Sequence, residues 1–116
     1  MEGYEILKRA AKALDNKKAV DLTAIKITEV TVIGDYFLLA TATSSTHVRA
    51  LAETVEEELE KEGVRPNHIE GRATGWILLD YADVIVHIMD AKTRDFYGLE
   101  HTWNDGIALE VEELLK

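Results

Sequence analysis

Asp80, Asp83 and His87 sit in the stretch "DYADVIVH", and they are the residue types that run acid–base chemistry. Their spacing argues against it. Four residues along a strand span ~13 Å, so Asp83 and His87 share a face without touching. Asp80 and Asp83 flank a two-residue turn, where an Asp side chain bonds nearby backbone N–H groups. The turn reading outweighs the catalytic one. The histidines are His47, His68, His87 and His101, and no two lie at i, i+3 or i+4. Neither H-E-x-x-H nor HxH occurs, so a metal site would have to be assembled from distant segments, and none is expected. "ATATSSTHV", residues 40–48, carries hydroxyls into a helix N-terminus, a place that attracts anions. It lacks the glycines and Lys of a phosphate loop, so simple N-capping is the stronger reading. "GDYF", residues 34–37, would need an Asp-x-Asp pair on a neighbouring strand to act as a nucleotidyltransferase, and the chain holds none.

Composition narrows the classes further. The 116 residues suit one domain, and 47% hydrophobic residues supply a real core. Cys is absent, which excludes disulfides, thiol catalysis and Cys-ligated metals. No segment reaches the ~18 apolar residues of a membrane span. "MEGYEILKRAAKALDNKKAV" has charges throughout and no apolar core, so it does not read as a signal peptide, and a cytoplasmic location is expected. Asp and Glu number 22 against 13 Lys and Arg, a formal charge of −9. That argues against bare nucleic acid as the main partner and is compatible with docking on a basic protein.

The elements that must position these residues follow from periodicity. Residues 4–18 read as a helix, with Ile6, Leu7, Ala10, Ala11 and Leu14 at helical spacing. Residues 22–27 and 36–42 read as strands, with Gly34-Asp35 as a turn and some of "EVTVI" as further strand. A helix over 46–62 carries the stripe Val48, Leu51, Val55 and Leu59, and Gly63 and Pro66 end it. Its outer face is rich in Glu, which is ordinarily a solvated face and otherwise a surface that repels RNA. "NHIEGRATG" reads as a short edge strand and loop, followed by the strands "WILLD" and "VIVHIM". Residues 91–104 read as a short helix broken at Gly98, and 105–116 as an amphipathic helix with Ile107, Val111, Leu114 and Leu115 on one side. The expected fold is a single α/β domain, a mixed sheet of about five strands flanked by helices.

The aromatics point to binding. Trp76 opens a strand beside a loop containing Arg72, and Tyr81 tips its turn. Phe96, Tyr97 and Trp103 crowd the segment after the last strand, with burial as the default for each. Trp, Tyr and Arg together are what binding hot spots are made of.

Three blocks then carry a resemblance. "GDYFLLATATSSTHVRALAETVEEEL", "IEGRATGWILLDYADVIVHIMD" and "TRDFYGLEHTWNDG" occur in the order found in the bacterial ribosomal silencing factors, also called the Iojap-like family. The matching blocks run from about Ala19 to Gly106. Two departures stand out: Ala82 where the family's turn has Gly, and Met89 where Phe is usual. The loop "EGRATGW" is also a little short.

The resemblance implies a non-enzymatic protein with no cofactor, in one domain over 1–116. It implies nucleotidyltransferase-like topology without the catalytic acids. It further implies binding to the large ribosomal subunit through ribosomal protein L-fourteen, blocked joining of the small subunit and repressed translation. A homodimer is also implied. By position, the family's contact surface maps here onto Arg72, Trp76, Leu79, Asp80 and Tyr81. Two other readings remain open: a factor for large-subunit assembly, and a small enzyme with a relic nucleotide site near Thr43 to His47.

Overall fold

The computed structural model describes residues 2–27, 35–71, 75–98 and 106–116. The strands are β1 (Val20–Lys26), β2 (Tyr36–Ala42), β3 (His68–Glu70), β4 (Trp76–Asp80), β5 (Val84–Asp90) and β6 (Ile107–Leu109). The helices are α1 (Gly3–Asn16), α2 (Ser45–Glu60), α3 (Ala91–Tyr97) and a single turn, α4 (Val111–Leu114). The strands form one mixed sheet in the order β3-β4-β5-β2-β1-β6. Among the described residues only β2 and β5 pair in parallel; the other four pairings are antiparallel.

The apolar patterns explain these positions. "YFLLATA" and "VIVHIMD" are almost continuously buried, as central strands covered on both faces must be. β4, one place nearer the edge, alternates: Ile77 and Leu79 are buried, and Trp76, Leu78 and Asp80 are half-buried. On one face α1 and α2 pack side by side, and the stripe Val48, Leu51, Val55 and Leu59 is fully buried there with Leu7 and Leu14. The opposite face holds a smaller cluster of Ile25, Ile27, Phe37, Leu39, Ile85 and Met89. Among the described residues no helix is long and apolar enough to cross a membrane.

Two expectations are corrected, the helix over 105–116 and the end of α1. The sheet has six strands, because Ile107–Leu109 is β6 rather than the start of a helix. That tripeptide pairs with β1, Ala24 opposite Leu109 and Lys26 opposite Ile107. The helical spacing of Ile107 with Val111 is thus incidental, and only Val111–Leu114 coils. Gly106 is what lets β6 come so close: a Cβ there would lie 2.5 Å from a methyl of Ile25. α1 stops at Asn16 rather than Lys18, whose φ of +68° belongs to the left-handed region. α3 breaks at Gly98 as expected, ending at Tyr97 with Gly98 at φ +53°, while residues 99–105 lie outside the described residues, as does all of "EVTVI".

The β4–β5 connection is a three-residue hairpin, with Tyr81 N–H donating to Val84 O at 2.9 Å. Ala82 sits at its tip with φ +69°, a conformation that an L side chain adopts only at a cost. Ala82→Gly is therefore expected to stabilise the fold by about 0.5–1 kcal/mol, strain relief outweighing the added freedom of the unfolded chain. Urea denaturation checks this; an unchanged or lower midpoint would show that the turn is not strained.

Candidate functional site

The face opposite α1 and α2 presents its side chains in rows across the sheet. One row runs Thr23, Leu39, His87 and Leu78. The next, nearer the carboxyl ends of β2 and β5, runs Thr41, Met89 and Trp76. His87 is 4% exposed. The indole Nε1–H of Trp76 donates to its Nδ1 at 3.2 Å, which assigns the imidazole proton to Nε2. That Nε2 is buried and makes no hydrogen bond among the described residues. Phe37 meets the same ring edge-on, centroid to centroid 5.0 Å. Burial penalises the cation and lowers the His87 pKa from 6.5 to about 4. At neutral pH the ring is uncharged, and the bond that it makes is to the indole.

α3 leaves the end of β5 and lies over this row. The Asp90 carboxylate caps it by accepting from Thr93 N–H at 2.8 Å, and this bond holds the Asp90 pKa below its ordinary value. Gly75 lies so close that a Cβ there would be 2.4 Å from the Asp90 carboxylate. The last turn of α3 carries Phe96, 80% exposed, and Tyr97, 53% exposed. The Tyr97 ring lies 4.9 Å from Trp76 and 5.0 Å from Phe96. An aromatic chain thus runs from solvent at Phe96 through Tyr97 and half-buried Trp76 to His87. A groove of about 300 Å³, lined by Glu70, Gly71, Trp76 and Leu78, opens beside it. Apolar rings held in place yet left exposed are the ordinary makings of a docking surface.

The residues picked out from the sequence divide between the two faces. Trp76 is at the centre of the aromatic chain. Asp80 shares its face but lies ~13 Å along β4, where its Oδ1 accepts from Ala82 N–H. That is the turn-forming role expected of it. Leu79 is fully buried and Tyr81 is 5% exposed, both turned toward α1 and α2, so neither offers surface in the free chain. The Tyr81 pKa is raised, by burial first and then by the Glu56 charge. Arg72 and Trp103 lie outside the described residues.

Phe96 and Tyr97 were not among the candidates, although α3 gave a signal. "AKTRDFY" has no apolar stripe, so a helix of that length cannot bury two adjacent rings. The Thr43–His47 segment caps a helix, as expected: Ser44 Oγ accepts from His47 N–H at 3.1 Å. His47 also accepts from Thr43 N–H and reaches the Lys17 carbonyl at 2.8 Å, tying α2 to the end of α1. Among the described residues no three His, Asp or Glu side chains cluster as a metal ion would need.

Comparison with known proteins shows the family. The family described as "Ribosomal silencing factor during starvation" matches residues 2–116. A ribosomal silencing factor of Halalkalibacterium halodurans is 31% identical over 116 residues, covering 99% of both chains. One of Bacillus subtilis is 34% identical over 106 residues, covering 90% of each. A crystal structure of a Chromobacterium violaceum protein superposes with a TM-score of 0.87 at 35% identity, covering 90% of this chain and 88% of the other.

His87 makes stability depend on pH. The unfolded chain binds this proton near pH 6.5, the folded one only near pH 4. Between those values the unfolded state holds more protons, so stability falls as the pH drops through the window. The shift corresponds to a loss of about 3 kcal/mol attributable to His87. Urea titrations of wild type and His87→Leu from pH 7.5 to 4 check it: the wild type should lose more stability than the variant by that margin. Parallel pH profiles would mean that His87 is not held neutral.

Proposed function

The chain belongs to the ribosomal silencing factor family, and from that premise we propose that it docks on the large ribosomal subunit through ribosomal protein L-fourteen, blocks joining of the small subunit and so represses translation. It acts by occupancy rather than by turnover, in the cytoplasm where ribosomes work. The observation that carries this reading is the exposed aromatic chain of Phe96, Tyr97 and Trp76. Trp76 and Tyr97 are pinned in the free chain, so binding orders little and most of the ring area is available as affinity. Charge points the same way. A chain of net −9 is drawn to a basic ribosomal protein and repelled by RNA phosphate, which favours a protein-mediated foothold on the subunit.

The proposed contact surface is Trp76 and Asp80 on β4, Phe96 and Tyr97 on α3, and Arg72 by its place in the chain between β3 and β4. Leu79 and Tyr81 support that surface from beneath, as the packed reverse side of β4 and its turn. The acidic outer face of α2, on the other side of the sheet, then meets the approaching small subunit as a repulsive wall. Self-association as a homodimer is compatible with the same exposed rings and is tested by the dependence of molecular mass on concentration.

Sedimentation through a sucrose gradient tests the proposal. The chain should travel with purified large subunits, not with small ones, and should reduce the peak of joined ribosomes. Phe96→Ala should leave the urea midpoint unchanged, because the ring is exposed, and should weaken large-subunit binding about thirtyfold, or ~2 kcal/mol. Ile107→Ala, an exposed apolar residue at the opposite edge of the sheet, should bind normally. Loss of binding in both variants alike, or in neither, would place the contact elsewhere.

A further inference from the structure

We propose that Arg94 is a positioning residue for docking: from beneath α3 it sets where Phe96 and Tyr97 stand relative to Trp76. The inference rests on the reading that those rings are the docking surface. Arg94 is 7% exposed, although it belongs to a seven-residue helix at the protein surface. Its guanidinium spans two strands. Nη1 donates to Thr41 Oγ1 on β2 at 2.9 Å and to the carbonyl of Asp21 on β1, and Nη2 donates to Thr23 Oγ1 at 2.8 Å. The carbonyl that it takes belongs to an irregular point. The β1–β2 register shifts between Val20 and Thr23, and Asp21 has φ +49°.

This arrangement has a geometric purpose that the fold alone does not require. α3 has no apolar stripe, so hydrophobic burial does not fix its rotation about its own axis. The Asp90 cap fixes where the helix begins, and Gly98 with the Arg94 carbonyl fixes where it ends. Neither sets the azimuth of the rings. A planar fork bonded to two different strands does, because rotating the helix would break the bonds in concert. Phe96 and Tyr97 follow Arg94 by two and three residues, so its azimuth dictates theirs. Thr23 and Thr41, with the Asp21 carbonyl, are the acceptors by which the two strands hold it. A cleft of about 440 Å³, lined in part by Asp21, Thr41 and Arg94, borders the tie, so no tight packing substitutes for the bonds on that side.

The test compares wild type with Arg94→Met, Thr23→Val as a milder break of the same tie, and Leu51→Ala as a core defect under α2. The near-UV circular dichroism of the Trp76–Tyr97 pair, defined as the signal that Tyr97→Leu removes, reports ring placement. Binding to purified large subunits reports docking. In Arg94→Met the far-UV spectrum and cooperative unfolding should persist while the pair signal is lost and binding weakens about tenfold or more. Thr23→Val should reduce both in part, and it decides the matter if Arg94→Met fails to fold. Leu51→Ala should lower the melting temperature the most yet keep the pair signal and the affinity when folded. Retention of the pair signal in both tie variants, or its loss in Leu51→Ala in step with stability, would make Arg94 an ordinary fold contact and overturn the proposal. Should wild type not bind large subunits, the docking reading fails, while the spectral arm still decides whether Arg94 sets the rings.

Discussion

β2 lies against β5 in parallel from Tyr36 opposite Val84 to Ala42 opposite Asp90, and the rest of the molecule is arranged around that pairing. Parallel neighbours cannot be joined by a tight turn, so the chain between them must cross over. It does so through α2, β3 and β4 before β5 is added. The pair is buried on both faces, which demands cover above and below. α1 and α2 meet that demand on one face with a regular apolar stripe. The helix that follows β5 turns to the other face. The carboxyl ends of β2 and β5 thus send their helices to opposite sides of the sheet.

The two faces are built by different physics, and this difference is what the proposed docking surface rests on. The α1–α2 face is stabilised by leucines and valines that are fully buried, and its outer surface is mostly charged, with Tyr4 among the exceptions. The α3 face combines a small apolar cluster with buried polar groups: His87 bonded to Trp76, and Arg94 bonded to Thr23 and Thr41. Buried polar side chains that are bonded fix direction where apolar contacts fix only proximity. The rings that they direct, Trp76 and Tyr97 with Phe96 beyond, reach solvent. A surface intended only for solvent would have no need for such orientation.

The sequence disclosed the helical face more fully than the other. The α2 stripe has period 3.6, "WILLD" alternates with period 2 and the two central strands are continuous apolar runs, and each appears where the pattern puts it. The extra strand β6 was hidden because three residues are too few to show a period, and its pairing with β1 is a tertiary event. Trp76 was legible as a half-exposed residue at a strand start. Leu79 is expected beside it by resemblance, although the same alternation turns it inward. Phe96 and Tyr97 read as core by default because aromatic residues usually are, and the absence of an apolar stripe in α3 is the signal against that. Arg94 gave no signal, since a lone Arg in a short charged helix reads as solvated. Its burial depends on hydroxyls from strands 53 and 71 residues away in sequence. Ala82, by contrast, was marked by resemblance alone, and its φ of +69° explains why glycine is the usual residue there.

Hydroxyl-radical footprinting of the chain on purified large subunits tests the central claim most directly, because oxidation reads the accessibility of individual aromatic side chains. Protection should appear at Phe96, Tyr97 and Trp76, while Tyr4, 43% exposed on α1, should oxidise as in the free chain. Protection of Tyr4 with undiminished oxidation of Phe96 would contradict the claim, and would mean that the molecule docks by its helical face.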